Sequence, residues 1–133
     1  MNWNYITGFF DADGSVTLSR PDIRKNKTLQ LSFHNNEMII LNSIRDFIFK
    51  ETGYKGSLSC KKARSENHQD SFDLKYSYKA ALIIGNKMSS IHPKKKHRIE
   101  IYNKIQLVTP RNGKYTKELL EENIKLELEF WNH

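Results

Sequence analysis

The sequence predicts an α+β fold, a four-stranded antiparallel sheet with helices on one face, in the order α-β-β-α-β-β-α-α-α. Three observations predict it. Four short segments alternate apolar and polar residues with period two, as strands buried on one side do. Five longer segments carry apolar residues three and four apart, as amphipathic helices do. The short segments come in two pairs, each joined by a polar stretch rather than by a helix, which suits antiparallel neighbours.

The first helix is read from NWNYITGFFDAD: Asn2 or Asn4 can cap it, Trp3, Ile6, Phe9 and Phe10 form an apolar stripe, and Gly14 ends it. SVTLS (15–19) is the first strand, with Val16 and Leu18 on one face and Ser15, Thr17 and Ser19 on the other. TLQLSFH (28–34) is the second, setting Leu29, Leu31 and Phe33 against Thr28, Gln30, Ser32 and His34. RPDIRKNK between them is a turn with basic ends. NEMIILNSIRDFIFKETG (36–53) is a helix, with Ile40, Ile44 and Ile48 at helical spacing, Asn36 a candidate cap and Gly53 a C-cap signal.

GSLSCKK (56–62) and FDLKYS (72–77) are the third and fourth strands. They sort Leu58, Cys60, Phe72, Leu74 and Tyr76 from Ser57, Ser59, Lys61, Asp73, Lys75 and Ser77. A helix over 78–91 stops near Pro93, and another over 94–108 stops at Pro110. After the Asn112-Gly113 turn, TKELLEENIKLELEFW (116–131) is amphipathic through Leu120, Ile124, Leu128 and Trp131. No internal repeat or low-complexity tract interrupts this order.

At 133 residues the chain is expected to form one domain, residues 1–133. A mean hydropathy of -0.70 fits a soluble globule. No stretch approaches the roughly 18 apolar residues of a membrane span, so no membrane partner is expected. No secretory signal is apparent. Cys60 is the only cysteine, which rules out an internal disulfide and a thiolate metal site and fits a reducing, intracellular setting. Richness in Lys, Asn and Ile fits an AT-rich host genome, such as that of an organelle or phage; the host itself is left open.

The net charge of +7 is unevenly placed. Residues 116–133 hold two lysines and five glutamates, net −3, which leaves +10 for residues 1–115. A body this basic favours a polyanionic partner, nucleic acid ahead of a membrane surface. The polar sheet face agrees. Its hydroxyls, amide, imidazole and charges of both signs are the groups that read base edges, and a two-stranded ribbon fits the DNA major groove. The basic ends of the 20–27 turn (Arg20, Arg24, Lys25 and Lys27) could hold phosphates. RNA recognition more often places aromatics on the open face. Without a partner the same face is an ordinary solvated surface.

Asp11 and Asp13 break a local rule. They stand at the C-terminal end of the first helix, where the helix dipole repels carboxylates. On the same helix Gly8 and Ala12 share a face, with Thr7 and Asp11 beside them. Small residues four apart let two helices approach closely, and the simplest partner is the same helix of a second copy. Two Asp13 side chains would then meet and need a cation, for which oxygen ligands select a hard ion such as Mg²⁺. DADGS could also be an ordinary turn. As a calcium loop counted from Asp11 it fails, with Val16 at the glycine position and Asp22 at the closing one.

The segment Ile6-Thr7-Gly8-Phe9-Phe10-Asp11-Ala12-Asp13-Gly14 resembles the LAGLIDADG signature of homing endonucleases, matching at Gly8, Asp11, Ala12, Asp13 and Gly14. The element order extends the resemblance over nearly the whole chain, and one copy of the motif implies the homodimeric type. The resemblance implies an endonuclease that hydrolyses both strands of a long pseudo-palindromic double-stranded DNA site, with a saddle of sheet in the major groove. It implies Mg²⁺, or another divalent ion such as Mn²⁺, on Asp13 and the Ala12 backbone carbonyl, and a dimer interface through Thr7, Gly8, Asp11 and Ala12.

By the same resemblance Glu37 stands where relatives place a polar residue near the attacking water, and Leu41 where some have a base. A lysine beside the scissile phosphate falls on Lys95, with Lys96 second and Lys94 adjoining; as a local feature the run is equally a phosphate-gripping cluster. Thr17, Ser19, Thr28, Gln30, Ser32, His34, Ser57, Ser59, Lys61, Asp73 and Lys75 would face DNA. No Ser-His-Asp or Cys-His nucleophile is apparent. The alternatives within the family are an RNA maturase, with RNA as partner, and a DNA-binding regulator that does not cut.

Overall fold

A computed structural model of the chain describes residues 1–19, 27–67 and 69–132. Along them run α1 (Trp3–Asp13), β1 (Gly14–Ser19), β2 (Thr28–Asn35), α2 (Met38–Thr52), β3 (Ser57–Lys61), β4 (Ser71–Ser77), α3 (Tyr78–Lys87), α4 (Pro93–Leu107) and α5 (Lys117–Trp131). The strands form one antiparallel sheet in the order β1-β2-β4-β3. The fold is α+β, as predicted.

The register sorts the faces. Gly14, Phe33, Leu74 and Leu58 lie in one row across the sheet, and Val16, Leu31 and Tyr76 in the next row of the same face. Ser15, Ser32, Lys75 and Ser57 form a row of the opposite face, as do Thr17, Gln30 and Ser77. Period-two patterning therefore survives pairing on all four strands. Ile6 and Phe10 of α1, Leu41, Ile44 and Ile48 of α2 and Ala81 and Ile84 of α3 close over the apolar face in one core. Cys60 lies on the apolar side opposite Phe72, yet near the sheet edge it remains exposed.

Local chemistry fixes the element ends, decides one alternative and corrects three expectations. Asn2, not Asn4, caps α1, its Oδ1 accepting from Tyr5 N at 2.9 Å. Asn36 does not cap α2; Glu37 holds that position, and its own N–H donates to Asn35 Oδ1 at 2.8 Å. Helix α3 ends at Lys87 rather than near residue 91, because Ser89 N and Ile91 N donate to the side chains of Thr7 and Asp11 instead of extending the helical ladder. Pro93 does not merely follow a helix but starts α4, where its missing N–H costs nothing.

Helix α5 turns the other way from the predicted stripe. Asn123, Leu126 and Phe130 are buried, while Leu120, Ile124, Leu128 and Trp131 remain exposed. The inward face is held by Arg98 of α4, whose guanidinium lies 4.7 Å from the Trp131 ring centre and 5.4 Å from that of Phe130, and whose Nη1 donates to Val16 O at 2.9 Å.

Gly14 is required by space rather than by φ. A Cβ there would stand 2.3 Å from the Cδ1 of Phe10 and 2.7 Å from its carbonyl oxygen, and Phe10 is itself fully buried. Gly14→Ala is expected to destabilise the fold by about 1–3 kcal/mol or more, as overpacking does, read as a lower denaturation midpoint at unchanged m-value.

Tyr76 buries its hydroxyl without a hydrogen-bond partner among the described residues. Burial pushes its pKa well above the ordinary 10.0, and the Arg45 charge offsets only part of this. Above pH 10 the unfolded phenol ionises while the folded one keeps its proton, so stability falls as pH rises from 10 towards the folded value. Tyr76→Phe is expected to raise stability by about 1 kcal/mol at pH 7, since it removes an unsatisfied polar atom. It should also flatten the alkaline fall measured by urea denaturation.

Candidate active site

The end of α1 sets the site. Asp11 and Asp13 oppose the helix dipole, and Lys95 of α4 answers them from within the chain: its Nζ donates to the carbonyl oxygens of Phe10 at 2.7 Å and Asp11 at 2.8 Å. The Phe10 oxygen also accepts from Gly14 N–H, the last bond of the helical ladder, and the Asp11 oxygen lies one residue beyond it, so the ammonium works as a C-cap. Its charge also lies 5.5 Å from the Phe10 ring centre. Burial lowers the Lys95 pKa, Asp11 and Asp13 pull it back up, and Lys94 adds a smaller lowering effect.

The two acids then part. Asp11 is turned into its own chain, one oxygen accepting from Ser90 Oγ and the other from Ile91 N at 2.9 Å. Asp13, the last residue of α1, is exposed and accepts no hydrogen bond from the described residues. It opens into a cleft of about 670 Å³ shared with His34, Asn35, Glu37, Lys61 and Asp73. Predicted catalytic positions Asp13 and Glu37 thus meet predicted DNA-facing positions His34, Lys61 and Asp73 in one cavity. Lys96 does not join them. It lines a separate, smaller cleft with Ser89, Ser90 and Glu100, away from the one that Asp13 lines.

A chain of hydrogen bonds crosses the polar sheet face at this cleft. His34 Nδ1 pairs with Asp73 Oδ1, and His34 Nε2 lies 3.3 Å from Ser15 Oγ. The spacing in sequence gave no sign of a Ser-His-Asp arrangement; the structure builds one from three strands. The register supplies it, with His34 directly opposite Asp73 across β2 and β4. The missed signal is the pairing of two strands that are not neighbours in sequence, which alternation alone does not reveal.

The remaining residues expected to face DNA divide by exposure. Thr17, Ser19, Gln30, Ser57, Ser59, Lys61 and Lys75 lie on the polar face with access to solvent. Thr28 and Ser32 lie on that face too, but at 5% and 4% exposure they offer almost no donor or acceptor to a partner, a correction. Lys27 is drawn away to Glu127 of α5 at 3.4 Å rather than left for phosphates. Arg20, Arg24 and Lys25 fall outside the described residues. Leu41 is fully buried and belongs to the core.

The open face of α1 is likewise narrower than expected. Gly8 and Ala12 are exposed, and nothing lies within 4 Å of a Cβ built on Gly8. Thr7 and Asp11, expected beside them at a dimer contact, spend their side chains on their own chain. Thr7 Oγ1 donates to Trp3 O at 2.8 Å and accepts from Ser89 N at 3.4 Å.

Among the described residues no group of three or more His, Cys, Asp or Glu is placed to hold a metal ion. The Asp13 carboxylate and the Ala12 carbonyl, which lies past the helical ladder, are oxygen donors suited to a hard divalent ion in kind. They are too few in number. Further oxygens would have to come from a second copy or from a bound phosphate.

No family model and no curated protein matches the sequence. Solved structures match the fold. An archaeal intron-encoded homing endonuclease, I-Vdi141I, complexed with DNA, is similar with a TM-score of 0.66 at 20% identity, covering 95% of this chain and 79% of that one. The LAGLIDADG homing endonuclease I-GzeII, in complex with its DNA target, gives 0.63 at 18% identity over 96% of this chain. The LAGLIDADG meganuclease I-AabMI, bound to uncleaved DNA, gives 0.62 at 16% over the same share. The chain spans only 44% of the length of each of these last two.

Proposed function

We propose that this chain, whose fold is that of the LAGLIDADG homing endonucleases, is a divalent-metal-dependent endonuclease of double-stranded DNA that works as a homodimer. The observation that carries the reading is Asp13: an acid at a helix C-terminus, without a donor among the described residues, opening with Glu37 into a cleft at the edge of a polar sheet face. Three DNA-bound neighbours share that fold, and two of them are more than twice as long as this chain. A second copy would supply both the missing metal donors and the missing half of the DNA-binding surface.

In this reading the α1 helices of two copies pack through Gly8 and Ala12, and the two Asp13 carboxylates with the Ala12 carbonyls hold Mg²⁺ or Mn²⁺. When bound, such an ion lowers the pKa of the attacking water and stabilises charge on the leaving 3′ oxygen. The chain's own residues do the rest. Lys95 braces the acidic tip through two of its three donors, leaving the third for a phosphate oxygen. Glu37 orders water on the far side of the cleft. Gln30, Ser57, Ser59, Lys61 and Lys75 read or hold the duplex, and the +10 body draws it in.

The test is incubation of the full chain with a randomised duplex library, with Mg²⁺ and separately with Ca²⁺. Cleaved duplexes of one consensus are expected with Mg²⁺, and binding without cutting with Ca²⁺. Absence of cleavage in Mg²⁺ and Mn²⁺ alike would reject the reading.

A further inference from the structure

His34 is placed as a base rather than as a reader of sequence. Its ring is fixed at both nitrogens, by the Asp73 carboxylate at Nδ1 and by the Ser15 hydroxyl at Nε2. With Nδ1–H donated to the carboxylate, the neutral imidazole must carry its lone pair on Nε2. The Ser15 contact on that lone pair is long, 3.3 Å, so a water or the hydroxyl's own proton exchange can take its place. Ser15 is only two residues from Asp13, and His34 and Asp73 line the same cleft as Asp13 and Glu37. A base oriented by a carboxylate and opening on a metal-binding acid is more than a base-reading face needs.

We propose that His34 is a catalytic residue of the DNA hydrolysis, accepting the proton of the attacking water at Nε2, and that Asp73 is the positioning residue that fixes its tautomer. This rests on the endonuclease reading above. The water oxygen bonds to phosphorus, the bond from phosphorus to the 3′ oxygen breaks with its electron pair going to that oxygen, and the water's proton passes to His34. The leaving oxygen takes a proton from solvent. The charged groups facing the imidazole are Asp13 from α1, Glu37 ahead of α2, Lys61 from β3 and Asp73 from β4, with Lys75 on the adjoining row of the sheet.

The experiment is single-turnover cleavage of the selected duplex against pH, by the wild-type chain and by His34→Ala, His34→Gln and Asp73→Asn, with duplex affinity in Ca²⁺ and thermal melting measured on each. For wild type the rate is expected to show a pH-dependent limb. Both His34 variants should lose about 100- to 10,000-fold in rate, keep duplex affinity within about threefold, and lose that limb. Added imidazole should restore part of the rate of His34→Ala. Asp73→Asn should displace the limb along the pH axis, an effect that a merely structural contact would not give. A folded His34 variant that cuts at the wild-type rate, keeps the limb, or loses only duplex affinity overturns the proposal while leaving the endonuclease reading in place. A wild-type chain that cuts no duplex overturns both.

Discussion

Asp13→Asn is expected to lower Mg²⁺-dependent cleavage by about a thousandfold or more, with duplex affinity in Ca²⁺ within about threefold of wild type. A thousandfold corresponds to about 4 kcal/mol of barrier, the scale on which one charge at a metal site acts. The substitution keeps shape and oxygen but removes the charge. Because no described residue donates to Asp13, and the opposing helix dipole is offset by the attraction of the Lys95 charge, thermal stability should hold. That pairing of lost activity with kept stability is what marks a residue maintained for chemistry. Cleavage by the variant at more than a tenth of the wild-type rate would remove Asp13 from the metal site.

Gly8→Leu is expected to turn dimers into monomers, weakening self-association by about a hundredfold or more, which is about 2.7 kcal/mol, with cleavage lost in parallel. Sedimentation equilibrium reads the association, and thermal melting serves as the control. Two glycines of one segment make the contrast. At Gly8 a side chain enters open space, so the isolated fold should tolerate it. At Gly14 even a methyl group meets Phe10. If Gly8→Leu associates with wild-type affinity, the helix pair is not where the copies meet.

Much of this architecture is legible in the residues because the strands alternate strictly and the first two helices stop at glycine. What stayed hidden depends on partners distant in sequence. Helix α5 carries two apolar arcs, Leu126 with Phe130 and Leu120 with Ile124 and Leu128, and periodicity cannot say which one meets the core. The end of α3 is set by Thr7 and Asp11, far upstream, capturing its next N–H groups. The choice among three lysines could have been read more firmly. Ile99, Tyr102 and Ile105 are buried on one side of α4, and Lys95 lies one turn before them on that side, unlike Lys94 and Lys96. The His34–Asp73 pair needed the strand order β1-β2-β4-β3, which no local pattern encodes.

Lys95 and Arg98 leave α4 one turn apart and grip different ends of the same backbone passage: one the last carbonyls of α1, the other the Val16 carbonyl just beyond. The Arg98 grip is in turn pressed into place by the rings of α5. The acidic tip therefore has a remote control arm: whatever seats against the last helix, or pulls it loose, reaches the Asp13 end of α1 through a single turn of α4.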